Sequence, residues 1–301
     1  METSVKKPYN PADYEYARVE DYGYRQYKPL KILWKILSKA LLVFAIFMLY
    51  FSVILIAVQS FNSSDSTTEF ASFTFANYAN MFGKSSLNQS ILNTFKTSII
   101  ATLIATVLGT LIAIGIYFLP KKAKSTISLL NNIPLLNADI VTGVSLMIIF
   151  GFVKQLFGIT YLFGFWTILI AHIYFILPYI ILSVLPKMKE IDPNMLEASL
   201  DLGVKPFKSL IKVLIPAVKG GIFAGMILAF TISFEDFVVG YFTTGNGYNT
   251  LSIWIYSSIG RKSLFPGVYA FSTALTILMI IAVILYSVLM KGRGSRAKKS
   301  N

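Results

Sequence analysis

Apolar residues in this chain are grouped into six long stretches that polar and charged segments separate. Each stretch is close to the ~20 apolar residues that a helix needs to cross a bilayer. The predicted spans are Ala40–Gln59, Thr97–Leu119, Ile133–Val153, Phe163–Leu185, Gly220–Tyr241 and Val268–Met290. The pattern predicts an all-α polytopic membrane protein with a polar tail over residues 1–39, a six-helix membrane domain over 40–290 and a basic tail over 291–301.

Composition agrees with this assignment. The 301 residues are 55% hydrophobic and only 14% charged, whereas soluble domains carry roughly a quarter charged residues. There is no cysteine, which excludes disulfides, cysteine metal sites and thiol nucleophiles.

The position of the basic residues predicts the topology. Of the 27 lysines and arginines, 22 lie in the two tails and in the loops after the second and fourth spans. Cytoplasmic loops are the ones that carry such an excess, so both termini are predicted to be cytoplasmic. The net charge of +13 therefore reflects the topology of a membrane protein. Membrane lipid is the expected surrounding, and a nucleic-acid partner is not expected.

A charged cytoplasmic segment at about residues 190–218, here called the elbow, interrupts the apolar pattern. Asp192 and Asn194 are candidate N-caps for a short helix, and Glu197 is spaced to complete a capping box with Asn194. Gly203 is placed as its C-terminal stop.

The second half of the elbow is punctuated by prolines. Pro206 is placed to open a second short helix, and Pro216 precedes the fifth span. Leu196 and Leu200 share one face of the first helix because they are four residues apart. Two interpretations stay open on periodicity alone: a connector lying on the membrane surface, or a rigid projection whose apolar face enters a groove in a soluble partner.

The elbow resembles the EAA loop of binding-protein-dependent ABC importer permeases, which reads Glu-Ala-Ala, three residues, Gly, nine residues and Ile-x-Leu-Pro. Here Glu197-Ala198-Ser199 is followed by Gly203 after three residues and by Val213-Leu214-Ile215-Pro216 after nine more. Three substitutions are small or conservative, and the spacing is intact. In that family the loop is the coupling helix that docks on the ATPase, and the resemblance implies this role for Leu196, Glu197, Ala198, Ser199, Gly203 and Pro216.

The resemblance extends from the first span to the sixth. It is closest to the C-type permease subunit of spermidine/putrescine transporters, through DIVTGVSLMIIF, MLEASLDLG and FTISFEDFVVGYFTTG. It implies the type I ABC importer (MetI-like) permease fold in a bacterial plasma (inner) membrane. The implied partners are a second permease subunit, two ATP-binding subunits and an extracytoplasmic polyamine-binding protein.

No nucleotide site is expected in this chain. Gly83-Lys84-Ser85 is similar to the end of a phosphate-binding loop, but Tyr78 stands where that loop requires a glycine. We therefore expect no catalytic residue and no bound cofactor or metal here, with ATP and Mg²⁺ used by the partner ATPase.

Three acidic residues fall within predicted spans: Asp139, Glu235 and Asp236. Ionisable residues inside a membrane face a bundle interior or an aqueous path and usually serve function. Glu235 and Asp236, in the outer half of span five, are candidates for contact with a cationic cargo; the alternative is a structural hydrogen bond or salt bridge. Asp139 is also a path candidate, but its predicted place near the cytoplasmic end of span three favours simple contact with the interface.

Two further features have structural explanations. His172 is the only histidine, so it lacks a histidine co-ligand for a metal, and an interhelical hydrogen bond is expected. Gly221 and Gly225, with Ala229 one turn on, predict close packing of span five against another helix.

Other functions predict different features. Related permeases carry thiamine, iron, sulfate or phosphate; an anion path would require arginine or lysine in the spans, which favours a cationic or neutral cargo here. An ion-gradient-driven secondary transporter would show inverted repeats and broken helices and would give no reason for the capped elbow. A membrane-embedded enzyme would require paired ligands or a nucleophile with its base.

Overall fold

A computed structural model of the chain describes residues 28–64, 69–192, 194–245, 247–259 and 265–297. The helices are α1 Lys28–Gln59, α2 Ala76–Ala79, α3 Ser85–Phe118, α4 Lys121–Leu136, α5 Asp139–Phe157, α6 Phe165–Lys189, α7 Asn194–Asp201, α8 Pro206–Ser209, α9 Ile215–Glu235, α10 Val238–Thr243, α11 Leu251–Ile259 and α12 Gly267–Ala297, with a π-helical segment Leu210–Leu214 between α8 and α9. The all-α prediction is confirmed over these ranges. Most of the predicted N-terminal tail, residues 1–27, and residues 298–301 of the basic tail lie outside the described residues.

Five of the helices in the described ranges are long and apolar enough to cross a membrane: Ile32–Gln59, Ser85–Phe118, Asp139–Phe157, Phe165–Lys189 and Pro206–Glu235. A shorter apolar stretch, Gly267–Ile281, begins α12. These six apolar segments follow the order that the hydrophobic pattern predicts.

The chain divides into two compact units. One contains α1 and the part of α12 that follows Phe271, and the other spans residues 60–271. The second unit contains the elbow and all three acidic candidates.

Helix α6 is the centre of the larger unit, packed between α3 and α9. Ile176, Ile180 and Val184, one turn apart, are fully buried. A Cβ on Gly109 of α3 would lie 2.8 Å from Cγ2 of Ile180, and one on Gly225 of α9 would lie 3.2 Å from its Cα. Glycines on both neighbours therefore let their backbones approach α6 closely, as small residues do in membrane bundles.

Helix α3 begins at Ser85, twelve residues before the predicted span. Residues 85–94, which the hydrophobic pattern does not place in a span, therefore belong to this helix. Two of their polar side chains make long-range hydrogen bonds: Asn93 Nδ2 donates to the Asn249 carbonyl at 2.9 Å, and the Leu251 N–H donates to Thr94 Oγ1 at 2.7 Å. The polarity thus serves tertiary contact with the segment before α11.

The predicted third span, Ile133–Val153, is wrong at its start. The structure has a separate helix α4 that ends at Leu136, and α5 begins at Asp139. Asn137 and Ala138 adopt extended conformations between the two helices. A carboxylate at the first position of a helix is favoured by the helix dipole, which is consistent with the new start at Asp139.

Candidate functional site

The first helix of the elbow, α7, is capped by Asp192. Its Oδ1 accepts a hydrogen bond from the Asn194 N–H at 2.9 Å, and its carbonyl accepts one from the Met195 N–H at 3.0 Å. Asn194 is the first helical residue rather than a cap, so the predicted capping box with Glu197 is replaced by a cap from Asp192.

Gly203 ends α7 as the spacing predicts. Its φ of +79° lies in the left-handed region that favours glycine. Its N–H donates to the Leu200 carbonyl at 2.8 Å, and the Val204 N–H donates to the Ser199 carbonyl at 3.2 Å. Among the described residues nothing lies within 4 Å of a Cβ placed on Gly203, so this position requires glycine for its conformation and not for space.

Two buried serines join the two halves of the elbow. Ser199 Oγ donates to the Leu196 carbonyl at 2.7 Å and is hydrogen-bonded to Ser209 Oγ. Ser199 is the residue that replaces the second alanine of the EAA pattern, and its hydroxyl is what meets α8. Sequence analysis did not identify Ser209, because a serine ten residues away from Ser199 carries no periodic signal.

The second half of the elbow is continuous with the fifth span, so Pro216 does not separate them. Helix α8 leads through the π-helical segment into α9, where the Ile215 N–H bonds to the Leu210 carbonyl five residues back. Pro216 lacks an N–H and its ring disturbs the preceding turn of an α-helix. The wider π turn lies directly before Pro216 and accommodates it without a break.

The elbow presents apolar side chains outward from this hydrogen-bonded frame. Leu202 is 84% exposed and Phe207 is 72% exposed. Glu197, Ala198, Gly203 and Pro216 are exposed, Leu196 is half-buried and Ser199 is buried. Exposed apolar side chains on a rigid, capped frame are suited to insertion into a groove of a soluble partner.

The acidic candidates of span five lie at a break in the helix. Helix α9 ends at Glu235, and Asp236 has φ −60° and ψ 132°, which is not helical. Helix α10 begins at Val238. The predicted continuous span to Tyr241 is therefore wrong, because the Asp236 side chain accepts hydrogen bonds from backbone N–H groups that begin a new helix.

The carboxylate of Asp236 is held from two sides. Oδ1 accepts from the Val239 N–H at 3.3 Å, and Oδ2 accepts from the Gly240 N–H at 2.7 Å. Oδ2 also lies 3.4 Å from His172 Nε2, and the two side chains are only 4% and 2% exposed. The Nε2 atom of His172 makes no hydrogen bond to a described residue in this geometry.

His172 connects three helices at this break, here called the acidic junction (residues 233–240 with His172). Its Nδ1 is 2.7 Å from Ser233 Oγ on α9, and its other nitrogen faces the Asp236 carboxylate that caps α10. The predicted interhelical hydrogen bond of His172 is confirmed. The adjacent Glu235, in contrast, is exposed.

Asp139 is the first residue of α5, a helix that packs on α10. It is exposed, and Gly143, one turn further along α5, packs on α10. A Cβ on Gly143 would lie 3.0 Å from Phe242 Cδ2 and 3.3 Å from the Val238 carbonyl. Helix α4, which the hydrophobic pattern did not predict, is ~24 Å long at 1.5 Å per residue and packs on α3 and α6 before α5 begins. The predicted place of Asp139 near the cytoplasmic end of its span stays a prediction.

Aromatic side chains surround α10. The ring of Tyr256 on α11 lies 4.8 Å from that of Phe237 and 5.6 Å from that of Tyr241. Tyr241 and Tyr256 are about half exposed. A cavity of about 560 Å³ is lined by Met147, Phe163, Tyr241, Phe242, Thr244, Gly245, Asn249 and Ile253. Faces of aromatic rings attract cations, so this region can hold an amine.

Gly221 and Gly225 lie against α6, as the small-residue spacing predicts. A Cβ on Gly221 would lie 2.8 Å from the Ser183 carbonyl, and one on Gly225 would lie 3.1 Å from the Ser183 Cβ. Both glycines pack α9 against α6, which also carries His172. The two glycines therefore hold α9 close to the helix that carries His172, and they add no polar or charged side chain to the acidic junction.

Comparison with known proteins gives one family and a consistent set of relatives. A model of the binding-protein-dependent transport system inner membrane component matches residues 105–293. The chain is 32% identical over 254 residues, 83% of its length and 94% of the relative's, to the spermidine/putrescine transport system permease protein PotC of Shigella flexneri. It is 26% identical over 226 residues, 75% of its length and 80% of the relative's, to the putrescine transport system permease protein PotI of Escherichia coli strain K12.

A solved structure has a similar fold. It is a bacterial ABC transporter involved in the import of the acidic polysaccharide alginate, with a TM-score of 0.62, 14% identity, and coverage of 88% of this chain and 98% of that one. At this identity the likeness shows the fold alone.

Proposed function

Because the chain belongs to the family of binding-protein-dependent transport system inner membrane components, we propose that it is the permease subunit of an ATP-driven polyamine importer. The chain is a multi-pass inner-membrane protein with the MetI-like permease fold. Spermidine and putrescine are the cargo that the names of its relatives favour.

The observation that carries the cargo proposal is the junction of carboxylates and aromatic rings around α10. A polyamine is multiply protonated at neutral pH, so a path for it needs groups that replace water around each ammonium. Glu235 and Asp139 are exposed carboxylates. Phe237, two residues after Glu235, packs on Tyr256, which also contacts Tyr241. We assign cargo contact to Glu235 first and to Asp139 second.

The elbow supports the proposal that a separate ATPase supplies the energy for transport. A short helix capped at both ends, cross-linked by Ser199 and Ser209, holds exposed Leu202 and Phe207 in fixed positions. We assign to it the docking of a separate ATPase, with Leu196, Glu197 and Ala198 in the contact. ATP and Mg²⁺ belong to that partner.

The remaining partners follow from the same proposal. A second permease subunit completes the path, two ATP-binding subunits drive it, and an extracytoplasmic binding protein delivers the polyamine. This chain supplies half of the translocation path and no catalytic residue.

The test is uptake of radiolabelled spermidine and putrescine in cells that lack this chain but keep the rest of the importer. We expect wild type to restore uptake and Glu235→Gln to reduce it at least ~10-fold, because the path loses a charge that replaces water around the cargo ammonium. Glu69→Gln is the matched control, since Glu69 is exposed and lies outside both the elbow and the acidic junction. Wild type that restores thiamine uptake but not polyamine uptake would contradict the cargo; full uptake by Glu235→Gln would contradict the role of Glu235.

A further inference from the structure

Two adjacent acids at the acidic junction have opposite environments. Glu235 is exposed, whereas the Asp236 side chain is 4% exposed and lies 3.4 Å from His172. Neighbouring carboxylates with such different surroundings are suited to different tasks.

The hydrogen-bonding capacity of Asp236 is already used by the protein. Both of its oxygens accept backbone N–H groups of α10. Turning this carboxylate toward a cargo ammonium would leave those donors unpaired in a buried place, which is unfavourable. Asp236 is therefore poorly suited to bind cargo.

The contacts of His172 flank Glu235 along the chain. Ser233, two residues before Glu235, is hydrogen-bonded to Nδ1, and Asp236, one residue after it, faces Nε2. Ser233 and Asp236 are both drawn to α6, so the last turn of α9 has its buried side fixed. Residues on a helix are about 100° apart, and fixing these two directs Glu235 away from α6.

Gly240 lets α10 pack closely against Asp236 and α6. A Cβ on Gly240 would lie 3.1 Å from Asp236 Oδ2, 3.4 Å from Ile168 Cδ1 and 3.7 Å from His172 Nε2. The helix start, the carboxylate and the imidazole therefore form one packed unit.

We propose that His172, Ser233 and Asp236 form a clasp that holds the break between α9 and α10 and aims Glu235 into the path. Asp236 and His172 are positioning residues, and Glu235 alone of the two adjacent acids contacts cargo. This inference rests on the proposed function for its transport readout.

The first test separates charge from hydrogen bonding. Asp236→Asn keeps an oxygen acceptor for α10 and a polar atom toward His172, so we expect a polyamine KM within ~3-fold of wild type, against a rise of ~10-fold or more for Asp236→Ala. Glu235→Gln and Glu235→Ala should be equally impaired, because only the charge matters there. If Asp236→Asn is as impaired as Asp236→Ala, Asp236 acts through its charge and the proposal is overturned.

The second test does not depend on cargo. The chain has no cysteine, so single cysteines report local exposure when a membrane-impermeant maleimide is applied to the assembled importer. We expect Glu235→Cys to react much faster than Phe234→Cys, because the native Phe234 ring packs on Phe95 and Phe230. Adding His172→Ala to each variant should reduce the difference between their labelling rates, because the last turn of α9 then loses its contact with α6.

A matched variant keeps the second test decisive if His172→Ala does not assemble. Ser233→Ala removes one hydroxyl from the clasp and should reduce the contrast to a smaller extent. A contrast that neither variant changes would overturn the clasp. Absent polyamine uptake in wild type, with the labelling contrast lost as expected, would instead count against the cargo and leave the clasp supported.

Discussion

The elbow and the acidic junction are built from contacts of very different range. In the elbow the bonds that fix the turn join residues within ten positions of each other, such as Ser199 and Ser209. At the junction the bond between His172 and Ser233 spans 61 positions. Short-range order can be recognised from spacing, whereas the junction depends on which helices pack together.

The two regions also use glycine for different reasons. Gly203 in the elbow has a positive φ and open space around it. Gly240 at the junction is helical and crowded by Asp236. A substitution at Gly203 therefore strains the backbone, and one at Gly240 pushes on a buried carboxylate.

The largest effect is expected from Gly203→Pro. Proline holds φ near −65° and has no N–H to donate to the Leu200 carbonyl. Helix α7 therefore cannot end in the same way, and the shape of the elbow changes. We expect polyamine-stimulated ATP hydrolysis by the reconstituted importer to fall at least ~10-fold with membrane insertion unchanged. Gly158→Pro is the control: Gly158 ends α5 with φ +64°, outside the elbow. An equal loss of stimulated ATP hydrolysis in both variants would contradict a specific role of the elbow, because a left-handed helix end elsewhere would then matter as much.

A smaller effect is expected from Gly240→Ala. The added methyl needs room that Asp236 Oδ2 and Ile168 occupy, so we expect a loss of about 1–3 kcal/mol in thermal unfolding of the purified complex, with slower polyamine uptake. Gly151→Ala is matched to it, because a Cβ there meets nothing within 4 Å among the described residues and alanine favours a helix by up to about 1 kcal/mol. A stabilised Gly240→Ala would show that the junction is looser than its packing indicates.

The smallest effect is expected from the serine pair. Ser199→Ala or Ser209→Ala leaves a buried hydroxyl without its partner, at a cost of about 1 kcal/mol. The double variant should cost less than the sum, because it removes both polar groups. A double-mutant cycle of thermal unfolding measures this, and strict additivity would show that the two hydroxyls do not stabilise each other.

Sequence reasoning found what periodicity and local stereochemistry determine. Runs of apolar residues gave the membrane helices, and the spacing of Glu197, Gly203 and Pro216 gave the elbow. Gly203 was predicted as a helix end because few residues other than glycine adopt a left-handed conformation without strain. The cap came from Asp192, whose Oδ1 accepts the Asn194 N–H, where Asn194 was also a candidate, since Asp and Asn are both preferred as helix caps.

Several features that the sequence analysis did not predict share one physical cause, which is that polar side chains can be buried against distant parts of the chain. The polar residues at the start of α3, such as Asn93 and Thr94, are buried against the segment before α11. Asp236 was a candidate either for cargo contact or for a structural hydrogen bond, and its carboxylate accepts two backbone N–H groups of α10. Such pairings join distant parts of the chain, and no local pattern in a single sequence specifies them.

The unbroken rod from Pro206 to Glu235 has a mechanical consequence. Its 30 residues measure ~45 Å at 1.5 Å per residue, and its inner end is the elbow while its outer end carries Glu235. A tilt of ~10° about the inner end would sweep the glutamate sideways by ~8 Å, by simple leverage on that length. The π turn Leu210–Leu214 lies at the fulcrum, where a wider turn bends more readily than an α-helix. In the proposed importer, a push on the elbow at one face of the membrane would thereby become lateral displacement of a carboxylate near the other.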